Sequence, residues 1–150
     1  METTIGSAQA HAERSAVALV ADVPSPLWAY ADPLRIGQAL DNLVSNAIKY
    51  SLDGGTVTIS AAGTEDWVKL VVRDTGMGLA PEDAAKVFSR FFRAESARDA
   101  AIPGAGLGLS ITKTILERHG GAIACASALG GGSTFTMTLP VETGGRAWPR

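Results

Sequence analysis

A single cysteine, Cys125, stands among the 150 residues, so no disulfide can close within the chain. That excludes a disulfide-stapled fold and makes a reducing compartment the expected home. No apolar run approaches the roughly 20 residues that a membrane-spanning helix needs, and the N-terminus lacks a signal-peptide pattern. Charge of one sign is missing as well. Thirteen basic residues against 15 acidic ones leave a formal charge of -2, and no basic run occurs. Non-specific binding to nucleic acid or to an anionic membrane surface is therefore not expected. No His/Cys pair has zinc spacing, and no Ser/His/Asp set can be argued. What remains, 46% apolar and 19% charged residues, predicts one ordinary globular domain with a single core. The expected setting is cytoplasmic, with the chain cut from a membrane-anchored parent.

Residues 1–15 are polar, alanine-rich and without periodicity, and read as a loose leader. Residues 16–20 and 27–30, separated by Asp22, Pro24 and Pro26, read as a short pair of strands. Asp32 followed by Pro33 opens a helix, because the carboxylate can cap it and a proline costs nothing at its first position. Ile36, Leu40, Leu43, Ala47 and Ile48 continue that helix to about Ser51. Residues 56–62 and 67–73 read as an antiparallel hairpin turning near Gly63, and a short helix is expected over about residues 82–89. Residues 92–105 read as a long loop, 107–118 as a helix stopped by Gly120 and Gly121, and 122–127 with 134–139 as two last strands. The tail after Pro140 is expected to be unstructured. Strands and helices mixed without regular alternation point to an α+β two-layer sandwich, a mostly antiparallel sheet with about three helices on one face. The domain itself is expected over residues 16–140.

Four features could carry chemistry. Asn42, Asn46 and Lys49 lie four and three residues apart, close to one helical face, and could meet a metal ion and phosphate oxygens. Asp74, Gly76 and Gly78 follow a buried strand: a carboxylate there can accept from an amine while glycines let backbone approach a flat ring. Gly104, Gly106 and Gly108 open a helix, where exposed N–H groups and the helix dipole favour phosphate. Phe88, Phe91, Phe92 and Arg93 stand at the entrance to the long loop, and Arg93 could reach a phosphate. Each also has a plainer reading, respectively a solvated helix face, a strand-ending turn, a simple glycine cluster, and a satellite core with one exposed arginine. His119, in the last turn of a helix, is expected to cap it rather than catalyse. Cys125, Trp28 and Trp67 are expected to pack.

Order and spacing join these features. The run NLVSNAIKY, with Asn42, Asn46, Lys49 and Tyr50, closely resembles the N box of histidine kinase catalytic domains. Asp74, Gly76 and Gly78 resemble their first glycine box, the run VFSRFFR from Val87 their F box, and Gly104, Gly106, Leu107, Gly108 and Leu109 their second glycine box. Gly130 through Phe135, with the strand ending at Leu139 and Pro140, is similar to the closing glycine segment. The resemblance covers about residues 16–140.

The resemblance implies a Bergerat-type ATP-binding fold, as in gyrase and MutL ATPases, with ATP and Mg²⁺ as cofactors. By it, Asn46 binds Mg²⁺, Asn42 lies beside the phosphates, Lys49 contacts phosphate and Tyr50 lies near the nucleotide. Asp74 accepts from the adenine amino group, Gly76 and Gly78 shape the adenine pocket, and Thr134 supports that end. Phe91, Arg93, Gly104, Gly106, Leu107, Gly108 and Leu109 belong to the nucleotide-binding set, with residues 92–105 as a lid. Asn42, Lys49 and Arg93 are the residues implied in catalysis. ATP-hydrolysing relatives place a water-activating Glu at the position of Asn42, and a carboxamide cannot act as a base, which favours phosphoryl transfer to another protein. His11 lacks the sequence context of a phosphoacceptor, so the implied acceptor is a histidine on the dimerisation helix of a homodimeric parent, with a response regulator beyond it. The domain alone is expected to be monomeric. The alternative of the same fold is a stand-alone anti-sigma-factor-type serine kinase.

Overall fold

The computed structural model describes residues 2–23, 27, 29, 31–51, 54–90 and 108–141, which form five strands and four helices. In chain order they are α1 (Glu2–Arg14), β1 (Ala18–Asp22), α2 (Pro33–Tyr50), β2 (Thr56–Gly63), β3 (Trp67–Asp74), α3 (Pro81–Ala84), α4 (Gly108–Arg118), β4 (Ala122–Ser127) and β5 (Ser133–Pro140).

The Asp32–Pro33 start behaves as its chemistry demands. The Asp32 carboxylate accepts from the N–H groups of Leu34 and Arg35 at 3.0 and 3.4 Å, and Pro33 occupies the first turn of α2. Ala39, Leu40, Leu43, Val44, Ala47 and Ile48 form the buried stripe of this helix. Burying a side chain such as Leu43 or Ile48 contributes about 1.5–3 kcal/mol. Helix α2 packs over β2 and β3 and against α4.

The sheet order is β1-β2-β3-β5-β4, with β1 parallel to β2 and the other pairs antiparallel. Strict alternation settles its faces. Val57, Ile59, Val72, Phe135, Met137 and Leu139 are buried toward the helices, whereas Lys69 and Arg73 are exposed on the open face. Two-layer architecture and the helix-bearing face agree with the reading from sequence. Among the described residues no helix is long and apolar enough to cross a membrane.

Several local expectations need correction. The supposed leader is helix α1: Ile5, Ala8 and Ala12 lie at helical spacing, and Ala12, with no exposed surface, joins the main core. Small residues gave a weak periodic signal, so tertiary packing decides this helix. No strand forms at Leu27 or Ala29, the described positions of 27–30; the parallel partner of β2 comes from residues 18–22 instead. Helix α3 spans only Pro81–Ala84 and continues as turns. Trp67 is 42% exposed on the open face rather than packed. Trp28 and the tail beyond residue 141 lie outside the described residues.

His119 is buried at the end of α4. Its Nδ1 donates to the Ile115 carbonyl at 2.7 Å, and its Nε2 accepts from the Asp32 N–H at 3.1 Å. The ring therefore links the C-terminal end of α4 to the start of α2, a structural use of both nitrogens.

Candidate functional site

Strand β3 ends on Asp74, which is 4% exposed and turned toward the helices. Its Oδ1 accepts from the backbone N–H groups of Gly76 at 2.9 Å and Ser133 at 3.3 Å. Oδ2 has no partner among the described residues and is not sealed from solvent. The fold thus fixes one oxygen and presents the other. Burial pushes this carboxyl above its ordinary range, against the lowering effect of the two N–H bonds. A half-satisfied carboxylate in such surroundings gains from an N–H donor that replaces its lost water.

The backbone around Asp74 is close-packed. Gly78 has φ +66°, and a Cβ there would collide with the Ala128 carbonyl. Gly132 has φ +73° and lies against the Asp74 carbonyl in the same way. Gly76 abuts the carbonyl of Tyr50, which seats the end of α2 on this loop. Gly130 N–H donates to the Met77 carbonyl at 2.8 Å, and Thr75 Oγ1 accepts from the Thr56 N–H at 2.9 Å. Phe88 meets Phe135 edge to face, with ring centroids 6.2 Å apart. The hydroxyl of Ser51, next to Tyr50, is the one buried side-chain polar atom without a partner among the described residues.

The other half of the site starts along α2. Asn42, Asn46, Lys49 and Tyr50 are half-buried beside the apolar stripe. Asn42 Nδ2 donates to the Gly108 carbonyl at 3.3 Å and to Thr112 Oγ1 at 3.4 Å, and the Thr112 hydroxyl donates to the same carbonyl at 2.9 Å. Asn42 therefore touches the first turn of α4, where the positive helix end favours an anion. From Asn42 to Tyr50 the rise along the helix is about 12 Å. That is comparable to the reach from the base to the terminal phosphate of a nucleotide. Among the described residues no group of three His, Cys, Asp or Glu side chains could hold a metal ion.

Residues 31–143 match the family described as "Histidine kinase-, DNA gyrase B-, and HSP90-like ATPase". The chain belongs to that family. It is 44% identical to the sensor-like histidine kinase SenX3 of Mycobacterium tuberculosis over 129 residues, covering 86% of this chain and 32% of SenX3. It superposes on the mycobacterial sensor histidine kinase MprB with a TM-score of 0.81 at 33% identity, covering 93% of this chain and 95% of that one. Full-length ShkA in complex with AMPPNP gives a TM-score of 0.79 at 30% identity, over 93% of this chain and 28% of ShkA. The chain spans about a third of the length of SenX3, and SenX3 and MprB are sensor histidine kinases, not stand-alone serine kinases. It is a domain of the histidine kinase catalytic type, and membership of this ATPase family implies that it binds ATP.

Of the residues the family resemblance singled out, the fold gathers Tyr50, Asp74, Gly76 and Gly78 at one end and Asn42, Gly108 and Leu109 toward the other, with Asn46 and Lys49 between. Phe91, Arg93, Gly104, Gly106 and Leu107 lie outside the described residues. Thr134 needs correction. It pairs with Arg73 in the ladder, so strand alternation carries its side chain to the open face, away from Asp74. Its neighbour Ser133, paired with Asp74 and 9% exposed, holds the place expected of Thr134. Ser133 and Ser127 escaped the reading from sequence. The signal was the alternation of buried Phe135 and Met137, which puts position 133 on the helix side.

Proposed function

We propose that this domain binds Mg-ATP and donates the γ-phosphoryl group to a histidine on the dimerisation helix of a longer, homodimeric sensor kinase. The observation that carries the reading is the Asp74 carboxylate, with Oδ1 held by two backbone N–H groups and Oδ2 left to accept from a ligand amine. The adenine 6-amino group is such a donor, and ShkA, of the same fold, is in complex with AMPPNP. Gly76 and Gly78 flank the ring. Tyr50 and Lys49 lie along the path from base to phosphates, and Asn42 with the start of α4 (Gly108 and Leu109) lies beside the phosphates. Phe91, Arg93, Gly104, Gly106 and Leu107 would complete the enclosure.

The donor chemistry along α2 fits a magnesium ion. Asn42 uses its amide nitrogen on Gly108, which frees its oxygen, and Asn46 makes no hydrogen bond among the described residues. Mg²⁺ takes oxygen ligands and shares them with phosphate, so Asn46 would hold the ion, whose role is to neutralise charge on the phosphate oxygens. Lys49 and Arg93 add positive charge on the same oxygens. In the transfer, the acceptor imidazole nitrogen forms a bond to the γ-phosphorus. The bond from that phosphorus to the β,γ-bridging oxygen breaks, and ADP leaves with the electron pair. Asn42, lacking a basic group, does not activate water, which suits transfer over hydrolysis. A response regulator would take the phosphoryl group next, and the longer protein would be anchored in the cell membrane with this domain in the cytoplasm.

Calorimetric titration with ATP, with and without Mg²⁺, on wild type and Asp74→Asn tests the reading. Magnesium-assisted binding that the substitution weakens is expected; a folded wild-type chain that binds no ATP overturns it.

A further inference from the structure

Three strand ends meet at the base end of the site. Ser127 closes β4, Ser133 opens β5 and Asp74 closes β3, and the ladder sets them side by side, Ser127 against Ser133 and Ser133 against Asp74. All three side chains lie on the helix side of the sheet. The Ser127 hydroxyl is the hub of this row. It accepts from the Leu79 N–H at 2.8 Å, lies 2.9 Å from the Gly132 carbonyl and 2.8 Å from Ser133 Oγ.

A hydroxyl has one proton and two lone pairs, which limits the assignments. The carbonyl of Gly132 can only accept, so Ser127 donates to it. Ser127 then accepts from the Leu79 N–H and from the Ser133 hydroxyl, and its hydrogen-bonding capacity is full. Each partner belongs to a segment that touches Asp74. Leu79 ends the loop of Gly76 and Gly78, whose Gly76 N–H holds Asp74 Oδ1. Gly132 packs on the Asp74 carbonyl, and Ser133 supplies the second N–H to Oδ1. One hydroxyl therefore ties together the two backbone donors that orient the carboxylate.

We infer that Ser127 is a positioning residue for base recognition: it fixes the direction of Asp74 Oδ2, and hence the preference for a base carrying a 6-amino group, without touching the nucleotide. The inference rests on the proposed role of Asp74. Ser127 is not the only tie across this corner, since Gly130 N–H also donates to the Met77 carbonyl and the β3–β5–β4 ladder remains. Removing the hydroxyl leaves the loop attached but frees it to turn.

The test compares affinity for ATP with affinity for inosine triphosphate, which carries a 6-carbonyl in place of the amine, on this chain by calorimetry. Wild type is expected to prefer ATP. Ser127→Ala lowers that preference about fivefold, the worth of one hydrogen bond of ordinary strength, and Ser127→Thr restores it by returning the hydroxyl. Should Ser127→Ala fail to fold, Ser127→Cys keeps a γ atom, a somewhat larger one with weak hydrogen bonding, and is expected to show the same direction of change. Equal losses for both nucleotides, or an unchanged preference in the folded variant, overturn the inference and leave Ser127 as a turn staple. A wild type that binds both nucleotides equally sinks the role of Asp74, and this inference with it.

Discussion

Asp74 is held by two backbone N–H groups and enclosed by glycines that admit no side chain, whereas Asn42 makes two bonds of 3.3 and 3.4 Å and faces a glycine that, among the described residues, has room for a methyl group. The base end of the site is ordered by the chain's own contacts, with Asp74 Oδ2 left for a ligand. Among the described residues, the phosphate end is not: Asn46 and Lys49 have no hydrogen bond or ion pair there. A flat, neutral ring offers little energy to organise a pocket, so the fold supplies the order in advance. Phosphate and magnesium bring strong charge, and can orient loosely held amides and an ammonium when they arrive.

The largest effect should come from forcing a side chain into the ordered end. Gly78→Ala puts a Cβ against the Ala128 carbonyl on a backbone with φ +66°. Overpacking and a left-handed alanine together cost about 3 kcal/mol, or roughly 10 °C in Tm for a chain of this size. Thermal unfolding checks it. A drop of only a degree or two would show that the base end yields more easily than its packing implies.

Asp74→Asn separates function from stability at the same place. ATP binding is expected to weaken about 30-fold, the loss of one charge-assisted hydrogen bond. Stability should move the other way. Burial raises the Asp74 pKa above its ordinary value of 3.8, so the folded chain holds that proton more tightly than the unfolded chain. The stability this contributes is fully present below 3.8 and is lost as pH rises through the folded value. The variant escapes that loss, so its Tm relative to wild type should rise between acid and neutral pH. A difference that is flat with pH would mean that the two N–H bonds cancel burial entirely.

What was legible in the sequence follows the same division. Helix α2, the β2–β3 hairpin and the β4–β5 pair announce themselves through caps, alternation and glycine turns, and the Asp74 box through its order among the other boxes. Helix α1 was hidden because its buried face is built from Ala8 and Ala12 with one isoleucine, and alanine scarcely registers as apolar until a partner helix covers it. Thr134 and Ser133 are both hydroxyl residues, one position apart. Only the ladder decides which of them faces Asp74, and a shift of one residue reverses the face. Ser127 was invisible for a related reason: its three partners come from positions 79, 132 and 133, and no local pattern joins them.

At the phosphate end, Asn46→Ala is expected to leave the stability within about 0.5 kcal/mol of wild type, read by thermal unfolding, since the side chain is half-buried and holds nothing among the described residues. Its effect should fall on magnesium. The gain in ATP affinity that Mg²⁺ brings to wild type should shrink about tenfold, near 1.4 kcal/mol, in paired titrations with and without the ion. A variant that keeps the full magnesium gain would move the ion to another residue.

Gly108→Ala is the smallest change and the sharpest test of the contrast. A Cβ at Gly108 would stand 3.9 Å from Asn42 Cγ, an ordinary contact, and its backbone is helical. Alanine is the better helix former by up to about 1 kcal/mol, so the variant should be as stable as wild type or slightly more so. Binding should nonetheless weaken, because the added methyl group stands at the helix start where a phosphate would approach backbone N–H groups. Unchanged Tm with weaker ATP binding would mean that the ligand, not the fold, demands glycine here, the reverse of Gly78. A large loss of stability would make Gly108 a packing glycine like the others, and the two ends of the site would then be built alike.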